Sequence, residues 1–436
     1  MIAAKATAQL EAFVERTDMP VACTLLGLGG FSTQHTRNLG MMGMHGEAWV
    51  NQAIQQADLL IALGMRFDDR VTGNLKTYAL NAKKIHVEID PSEVNKNVPV
   101  DVALIGDLKE VLGELKPQIK KADHPEWWAT INVNRGDSAV RDIKNLPDSG
   151  HLYAAHVIND IWRLTQKRDT IVVTDVGQHQ MWEAQYFHHD KPRSLITSGG
   201  LGTMGFALPA AIGAKFACPD KDVWVVVGDG GFQMTSCELA TAEQEGIKVN
   251  VAIINNSFLG MVRQWQEFFY DKRYAATPMT GPNFVKLAEA YRLTGLLCDK
   301  RSDVKATVEK TLAAKGTVVI DFVVEKEDTV FPMVPAGADL DQLDRRDLHG
   351  QSTAAQEALL ARGFNVVRLQ RQARLQVGHD VAQFSVQLVP DRQVVRCLRV
   401  KLGLGVLHRH FCPQLLGAVD AIRLWIGVVV EDRPAQ

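Results

Sequence analysis

The sequence has 436 residues, 46% of them hydrophobic and 22% charged, with a formal net charge of −2. That length allows two or three domains with sizeable cores, and the near-neutral charge argues against nucleic acid or an acidic membrane surface as partner. No apolar run reaches membrane-spanning length, "MIAAKATAQLEAFVERTDMP" at the start lacks a signal-peptide shape, and the six cysteines (Cys23, Cys218, Cys237, Cys298, Cys397, Cys412) show no metal or disulfide spacing, so the expected setting is reducing and cytoplasmic.

In chain order, residues 1–135 read as one α/β domain. Its expected strands are "VACTLLG", "ADLLIALG", "KKIHVEID" and "VALIGD", with helices such as "GEAWVNQAIQQ" between them. Strands alternating with helices imply a parallel sheet. The polar segment "KADHPEWWATINVNRGDSAVRD" reads as a helical connector. A second parallel-sheet domain is expected over 136–344, starting in earnest near Gly150, with strands "DTIVVTD", "SLITSG", "VWVVVGD", "VNVAIIN" and "TVVIDFVV" and a close near "TVFPMVPAGADLDQ". The expected fold class is therefore α/β, two doubly wound parallel-sheet domains plus a tail. The tail, 345–436, is set apart by composition: twelve arginines and one lysine, Lys401. A shifted reading frame, a fused segment and an appended module all fit that shift, and no motif is legible in it.

The stretch from residue 227 to 258, "VGDGGFQMTSCELATAEQEGIKVNVAIINNSF", carries the chemistry. Two buried-type apolar runs flank a helical pattern expected to start at Ser236 and stop at Gly246. Strand, helix, strand is the crossover between parallel strands, and parallel strands end on the same sheet edge. Asp229 and Asn256 are thus expected side by side where open α/β sheets bind ligands. A carboxylate and an amide oxygen are hard ligands that suit magnesium better than zinc. Gly228, Gly230 and Gly231 allow close backbone approach to a phosphate. A Mg-diphosphate site is one reading, and a glycine turn followed by an Asn-rich loop is the other.

The GDG followed after a fixed gap by NN resembles the thiamine-diphosphate signature. Its continuation, "NNSFLGMVRQWQEFFYDKRYAAT", resembles the acetolactate synthase (acetohydroxyacid synthase) catalytic subunit, and the resemblance runs from about Ala12 to about Asp341. It implies thiamine diphosphate, Mg2+ and FAD as cofactors. The implied metal ligands are Asp229, Asn256 and the carbonyl of Phe258. Gln178 and His179 of "DVGQHQMW" are implied at the cofactor's diphosphate end, and Gly202 and Met204 of "SGGLGTMG" beneath its bent conformation. Met261, Val262 and Trp265 of "GMVRQWQ" are implied in the substrate channel, with Met261 also against the cofactor. The first domain resembles the flavin-binding middle domain through Thr24 and Leu25, Met44 and His45 of "GMHG", Gly64, Arg66 and Asp68 of "GMRFDDRVTG", Glu88 and Ile89 of "HVEID", and Asp107 of "IGD". Read without the resemblance, His179 is a solvated loop histidine, Met204 is core packing, Trp265 is an aromatic at helical spacing from Met261, and Asp68, Asp69 and Arg70 are an ion-paired surface turn.

The resemblance implies decarboxylative condensation of pyruvate with pyruvate or 2-ketobutyrate in branched-chain amino-acid synthesis. It also implies a homodimer or tetramer of full-length subunits and a small regulatory subunit. Compared with the family, the sequence starts inside the middle domain, whose first strand is expected to be missing. The family's activating glutamate belongs to a preceding domain, so no catalytic residue is assignable here, and the chain alone is expected to be inactive. The alternatives are another thiamine-diphosphate carboligase or decarboxylase, of the glyoxylate carboligase or pyruvate oxidase type, and a non-catalytic cofactor-binding protein.

Overall fold

The computed structural model describes residues 1–137, 151–342, 381–388 and 393–401. The chain divides into two compact units, 1–356 and 357–436. The expected domain start near Gly150, the end of the connector and the boundary at 344 lie outside the described residues.

The larger sheet of the first unit has six strands: β6 (Thr170–Thr174), β7 (Leu195–Thr197), β8 (Asp222–Gly228), β9 (Asn250–Asn255), β10 (Thr294–Cys298) and β11 (Val318–Val323). All pair parallel, in the order β10-β11-β9-β8-β6-β7. Both faces are buried, which explains the unbroken valine run of β8. Trp224 and Val226 enter the core on one face with Val172, Ala252, Ile254 and Ile320. Val223, Val225 and Val227 enter the other with Val173, Val251, Ile253 and Val319. Helices α6 (Ala154–Thr165) and α13 (Val304–Ala313) contribute to the first face, α8 (Ala207–Ala217) and α12 (Phe284–Ala290) to the second. Burying each such side chain stabilises by about 1.5–3 kcal/mol.

Residues N-terminal to this sheet form two smaller parallel sheets. One pairs β1 (Val21–Cys23) with β2 (Asn38–Met41); the other is β3 (Leu59–Leu63), β4 (Lys83–Glu88) and β5 (Val102–Ile105) in that order. The single sheet expected here is thus split: β1 and β2 are short, and their register shifts between Val21 and Ala22. Helices α1 (Thr7–Thr17), α2 (Ala48–Gln56), α3 (Asp69–Thr72), α4 (Leu108–Leu115) and α5 (Pro125–Asp137) accompany these strands. The expected helical connector is α5. Leu10, Phe13, Phe31 and Leu112 share one core cluster with Ala184 of α7 (Gln178–Tyr186), so the smaller sheets are packed onto the larger domain. The segment after β11 crosses back as well: Val334 N–H donates to Met44 O (2.8 Å), and Asp339 accepts from Asn74 (3.1 Å) and the Thr77 hydroxyl (2.6 Å).

The helical pattern between β8 and β9 starts earlier than its sequence indicates. Helix α9 spans Asp229–Thr235, a short 3₁₀ turn follows, and α10 is Leu239–Gln244. Ser236 is not its cap; its hydroxyl turns back to Gln233 O at 3.4 Å. Gly246, at φ +60°, does end the segment. Helix α11 (Gly260–Phe269) follows the Asn255-Asn256 pair. In the second unit, β12 (Val381–Leu388) and β13 (Gln393–Lys401) form an antiparallel pair.

Candidate functional site

Gly228 at the end of β8 is in register with Ile254 of β9. One residue beyond the first and two beyond the second, the chain delivers Asp229, 2% exposed, and Asn256, 5% exposed, to a single cleft. The cleft opens to solvent, and with that open part included its empty space comes to about 450 Å3. Burial, with Asp321's charge adding to it, pushes the Asp229 carboxyl up to about 6, opposed by N–H donors that include Gly230 at 3.0 Å. Among the described residues, no basic side chain contributes to that balance. A buried carboxylate of this kind is stabilised by a cation.

The same cleft is lined by Gln178, His179, Met204, Gly228, Gly230, Gly231, Phe258, Met261 and Val262. His179 is not a solvated loop residue: it is 6% exposed, burial drives its pKa down to about 3, and its Nε2 has no partner. The neutral ring has one N–H, which is directed at the Asp175 backbone carbonyl, so Nε2 is left as an acceptor at the edge of the cleft. A side chain at Gly228 would come within 3.0 Å of that ring. Gly202, at φ +71°, belongs to the turn that carries Met204 but stands outside the lining. Trp265 is half-buried, packs on the Phe269 ring at 5.3 Å, and is also outside the lining. Phe258 is bridged to Pro278, and its N–H donates to Asn256 Oδ1 at 3.2 Å.

Three further residues carry this site and leave no local signal in the sequence. Asp175 accepts N–H bonds from Val176 (2.9 Å), Gly205 (3.0 Å) and Phe206 (3.3 Å), which ties the strand end to the Met204 turn. Gln264 is fully buried and accepts from Gln178 Nε2 at 2.9 Å. Arg263, 1% exposed, lies over the Phe258 and Tyr274 rings at 5.5 and 5.9 Å. Asp175 and Gln264 work through partners distant in sequence, Gly205 and Gln178.

The candidate flavin residues separate into two groups. Gly64, Glu88, Ile89 and Asp107 lie at the carboxyl ends of β3, β4 and β5, with Arg66 and Asp68 in the turn after β3. Arg66 is half-exposed and pairs with Asp68 at 3.2 Å, and Asp69 and Arg70 form the expected exposed ion pair at 3.3 Å. Glu88 accepts N–H from Ile89 (2.9 Å) and Asp90 (3.3 Å), and Asp107 caps α4 by accepting from Lys109 at 2.8 Å. Met44 and His45 instead lie where the segment after β11 crosses back: His45 Nδ1 donates to Pro332 O at 3.3 Å, and His45 O accepts from Gln185 at 3.0 Å. Thr24 follows β1, and Leu25 opens a 3₁₀ turn.

The chemistry of the donor sets fits the implied groups. Asp229, Asn256 and the Phe258 carbonyl are one carboxylate and two neutral oxygens, the hard set magnesium prefers. Two acids and a half-exposed arginine at parallel-strand ends suit a nucleotide.

Residues 1–115 match the thiamine pyrophosphate enzyme central domain, and residues 175–322 match the C-terminal TPP binding domain. The chain belongs to the thiamine pyrophosphate enzyme family. Within that family it is similar to the acetolactate synthase of Mycobacterium bovis, 47% identical over 356 residues, covering 79% of this chain and 57% of that protein. It is also similar to the acetolactate synthase large subunit of Corynebacterium glutamicum (43% over 349 residues, 78% and 55%). The acetolactate synthase isozyme 3 large subunit of Escherichia coli is 40% identical over 346 residues (77% and 60%). The chain thus spans little more than half the length of these relatives. The family match covers both the cleft and the three strand ends of the smaller sheet. No helix among the described residues is long and apolar enough to cross a membrane.

Proposed function

We propose that the cleft holds Mg2+ and thiamine diphosphate, and that the chain is the corresponding portion of an acetolactate synthase catalytic subunit. The observation that carries this reading is the arrival of Asp229 and Asn256 at neighbouring parallel-strand ends, in a cleft also lined by Gly228, Gly230 and Gly231. Asp229, Asn256 Oδ1 and the Phe258 carbonyl hold the cation. His179 borders the diphosphate end of the cleft, its ring held by the Asp175 backbone carbonyl. Gln178 borders the same end of the cleft. Met204 and Met261, which line the cleft, would support the bound cofactor, with Gly202 shaping the Met204 turn. Bound thiamine diphosphate supplies the carbon nucleophile and electron sink that let a 2-keto acid lose carbon dioxide. Val262, with Met261 beside it and Trp265 one turn on, is the apolar wall for the alkyl group of the keto acid, pyruvate or 2-ketobutyrate.

The strand-end group Gly64, Arg66, Asp68, Glu88, Ile89 and Asp107 is the candidate FAD site, with Thr24, Leu25, Met44 and His45 as further candidates. Support comes from the acidic strand ends and the exposed guanidinium. By likeness to the large subunits, the assembly is a homodimer or tetramer with a small regulatory subunit. A cytoplasmic setting is supported by free cysteines at positions 23, 218, 237 and 298.

The test is an assay with pyruvate, thiamine diphosphate, Mg2+ and FAD. It is run on the chain alone and on the chain supplemented with a polypeptide covering the part of the relatives outside the match. Acetolactate formation in the supplemented mixture is expected. Cofactor binding with no product under any supplementation supports the non-catalytic alternative instead.

A further inference from the structure

The amide of Asn256 has two faces, and only its oxygen serves a cation. Its orientation is set by hydrogen bonds that begin at backbone groups whose polarity cannot change. Val330 N–H can only donate, and it donates to Gln264 Oε1 at 2.9 Å. Val330 C=O can only accept, and it accepts from Gln264 Nε2 at 3.1 Å. The Gln264 amide is therefore held one way round. Its oxygen also accepts from Gln178 Nε2 at 2.9 Å. Asp328 C=O, again an obligate acceptor, takes a second bond from that nitrogen at 3.1 Å. Gln178 must then turn its Oε1 the other way, where it accepts from Asn256 Nδ2 at 3.1 Å. With its nitrogen engaged, Asn256 presents Oδ1 to the Phe258 N–H at 3.2 Å, with a lone pair to spare.

The three amides are 0%, 3% and 5% exposed for Gln264, Gln178 and Asn256, so water does not compete for them. The helix start is built around the chain of bonds. A methyl group on Gly260 would overlap Gln178 Oε1 and stand 2.7 Å from Asn256 Nδ2. Both the Nε2 and the Oε1 of Gln178 are engaged inside the protein, which leaves its side chain acting on the cofactor site through Asn256.

We propose that Gln264 and Gln178 are positioning residues that fix the Asn256 amide with its oxygen toward the cation, and that Gly260 is required for this relay to close. The proposal rests on the Mg-diphosphate reading above. Partners that orient metal ligands typically change metal affinity about 10–100-fold when removed. Gln264→Met keeps the length of the side chain and removes the acceptor that orients Gln178. Gly260→Ala leaves Gln264 in place and blocks the next link.

The experiment titrates the full chain and its variants with Mn2+ at fixed thiamine diphosphate, with bound Mn2+ read by electron paramagnetic resonance. Gln264→Met and Gly260→Ala are each expected to raise the Mn2+ needed by about 10–100-fold. In an Asn256→Asp background both side-chain atoms are oxygen, and the fixed Gln178 Oε1 faces an acceptor, so freeing Gln178 with Gln264→Met is expected not to raise the Mn2+ requirement further. A wild-type response to Gln264→Met, or an equal loss in both backgrounds, overturns the relay while leaving the metal site standing. Wild-type chain that binds no Mn2+ with thiamine diphosphate, and no differently from Asp229→Ala, overturns the parent reading and the relay together.

Discussion

Gly231 and Asp175 are packed so closely that a methyl group on Gly231 would overlap Asp175 Oδ2. The carboxylate it would displace holds the N–H groups of Gly205 and Phe206, and so the turn that carries Met204. The second glycine after Asp229 is thus fixed by a tertiary contact. Gly231→Ala should cost about 1–3 kcal/mol, the usual range for overpacking, and should loosen the Met204 turn. Chemical denaturation measures the first, and amide hydrogen exchange at Gly205 and Phe206 the second. Unchanged protection at both amides would separate Asp175 from the turn.

His45 gives the structure a defined acid sensitivity. Burial, with Arg70's charge adding to it, holds His45 at about 4, against the pull of the Pro332 carbonyl. In the unfolded chain it titrates near 6.5, so below that pH the unfolded state takes up a proton that the folded state refuses. Stability from this group is complete above the unfolded value and is lost as pH falls toward the folded one. The loss amounts to roughly 3 kcal/mol, since each pH unit separating the two states is worth about 1.4 kcal/mol. His45→Met should flatten the fall in melting temperature across that window relative to the parent chain. Equal slopes in the two proteins would assign the acid sensitivity elsewhere.

Arg263 is buried beneath Phe258 and Tyr274 and is paired with Glu267 at 3.2 Å. Removing one member of a buried pair leaves an uncompensated charge, which costs about 3–5 kcal/mol, whereas replacing both is far milder. Glu267 keeps some solvent contact, so Glu267→Ala should fall at or below the low end of that range, and Arg263→Met with Glu267→Leu should recover most of it. Denaturant midpoints for the two variants decide it. A double variant no more stable than the single one would contradict the pairing.

The sequence makes legible what short-range pattern controls. The β8 run is uniformly apolar because both faces of a parallel strand are buried, and the spacing from Asp229 to Asn256 is one crossover because the two strands are neighbours. Strand β2 carries Asn38 and Gly40, and β10 carries Gly295, residue types depleted in strands; tertiary pairing makes strands of both. The start of α9 is hidden for the same reason: Gly230 and Gly231 disfavour helix, yet Phe232 enters the core and Asp175 closes on Gly231. Asp175 and Gln264 carry no local signal because their partners are 30 and 86 residues away. Asp229, Asn256 and His179 are readable once the GDG and NN blocks set the resemblance, and the structure brings all three to one cleft.

The central claim is that Asp229 helps hold a cation that bridges the protein to a diphosphate. Calorimetric titration of the chain with thiamine diphosphate, with and without Mg2+, tests it most directly when Asp229→Ala is measured beside the wild type. The account predicts Mg2+-dependent binding for the wild type and none for Asp229→Ala, because the diphosphate then loses its cationic bridge to the protein. Equal affinity of the two proteins in the presence of Mg2+ would contradict it.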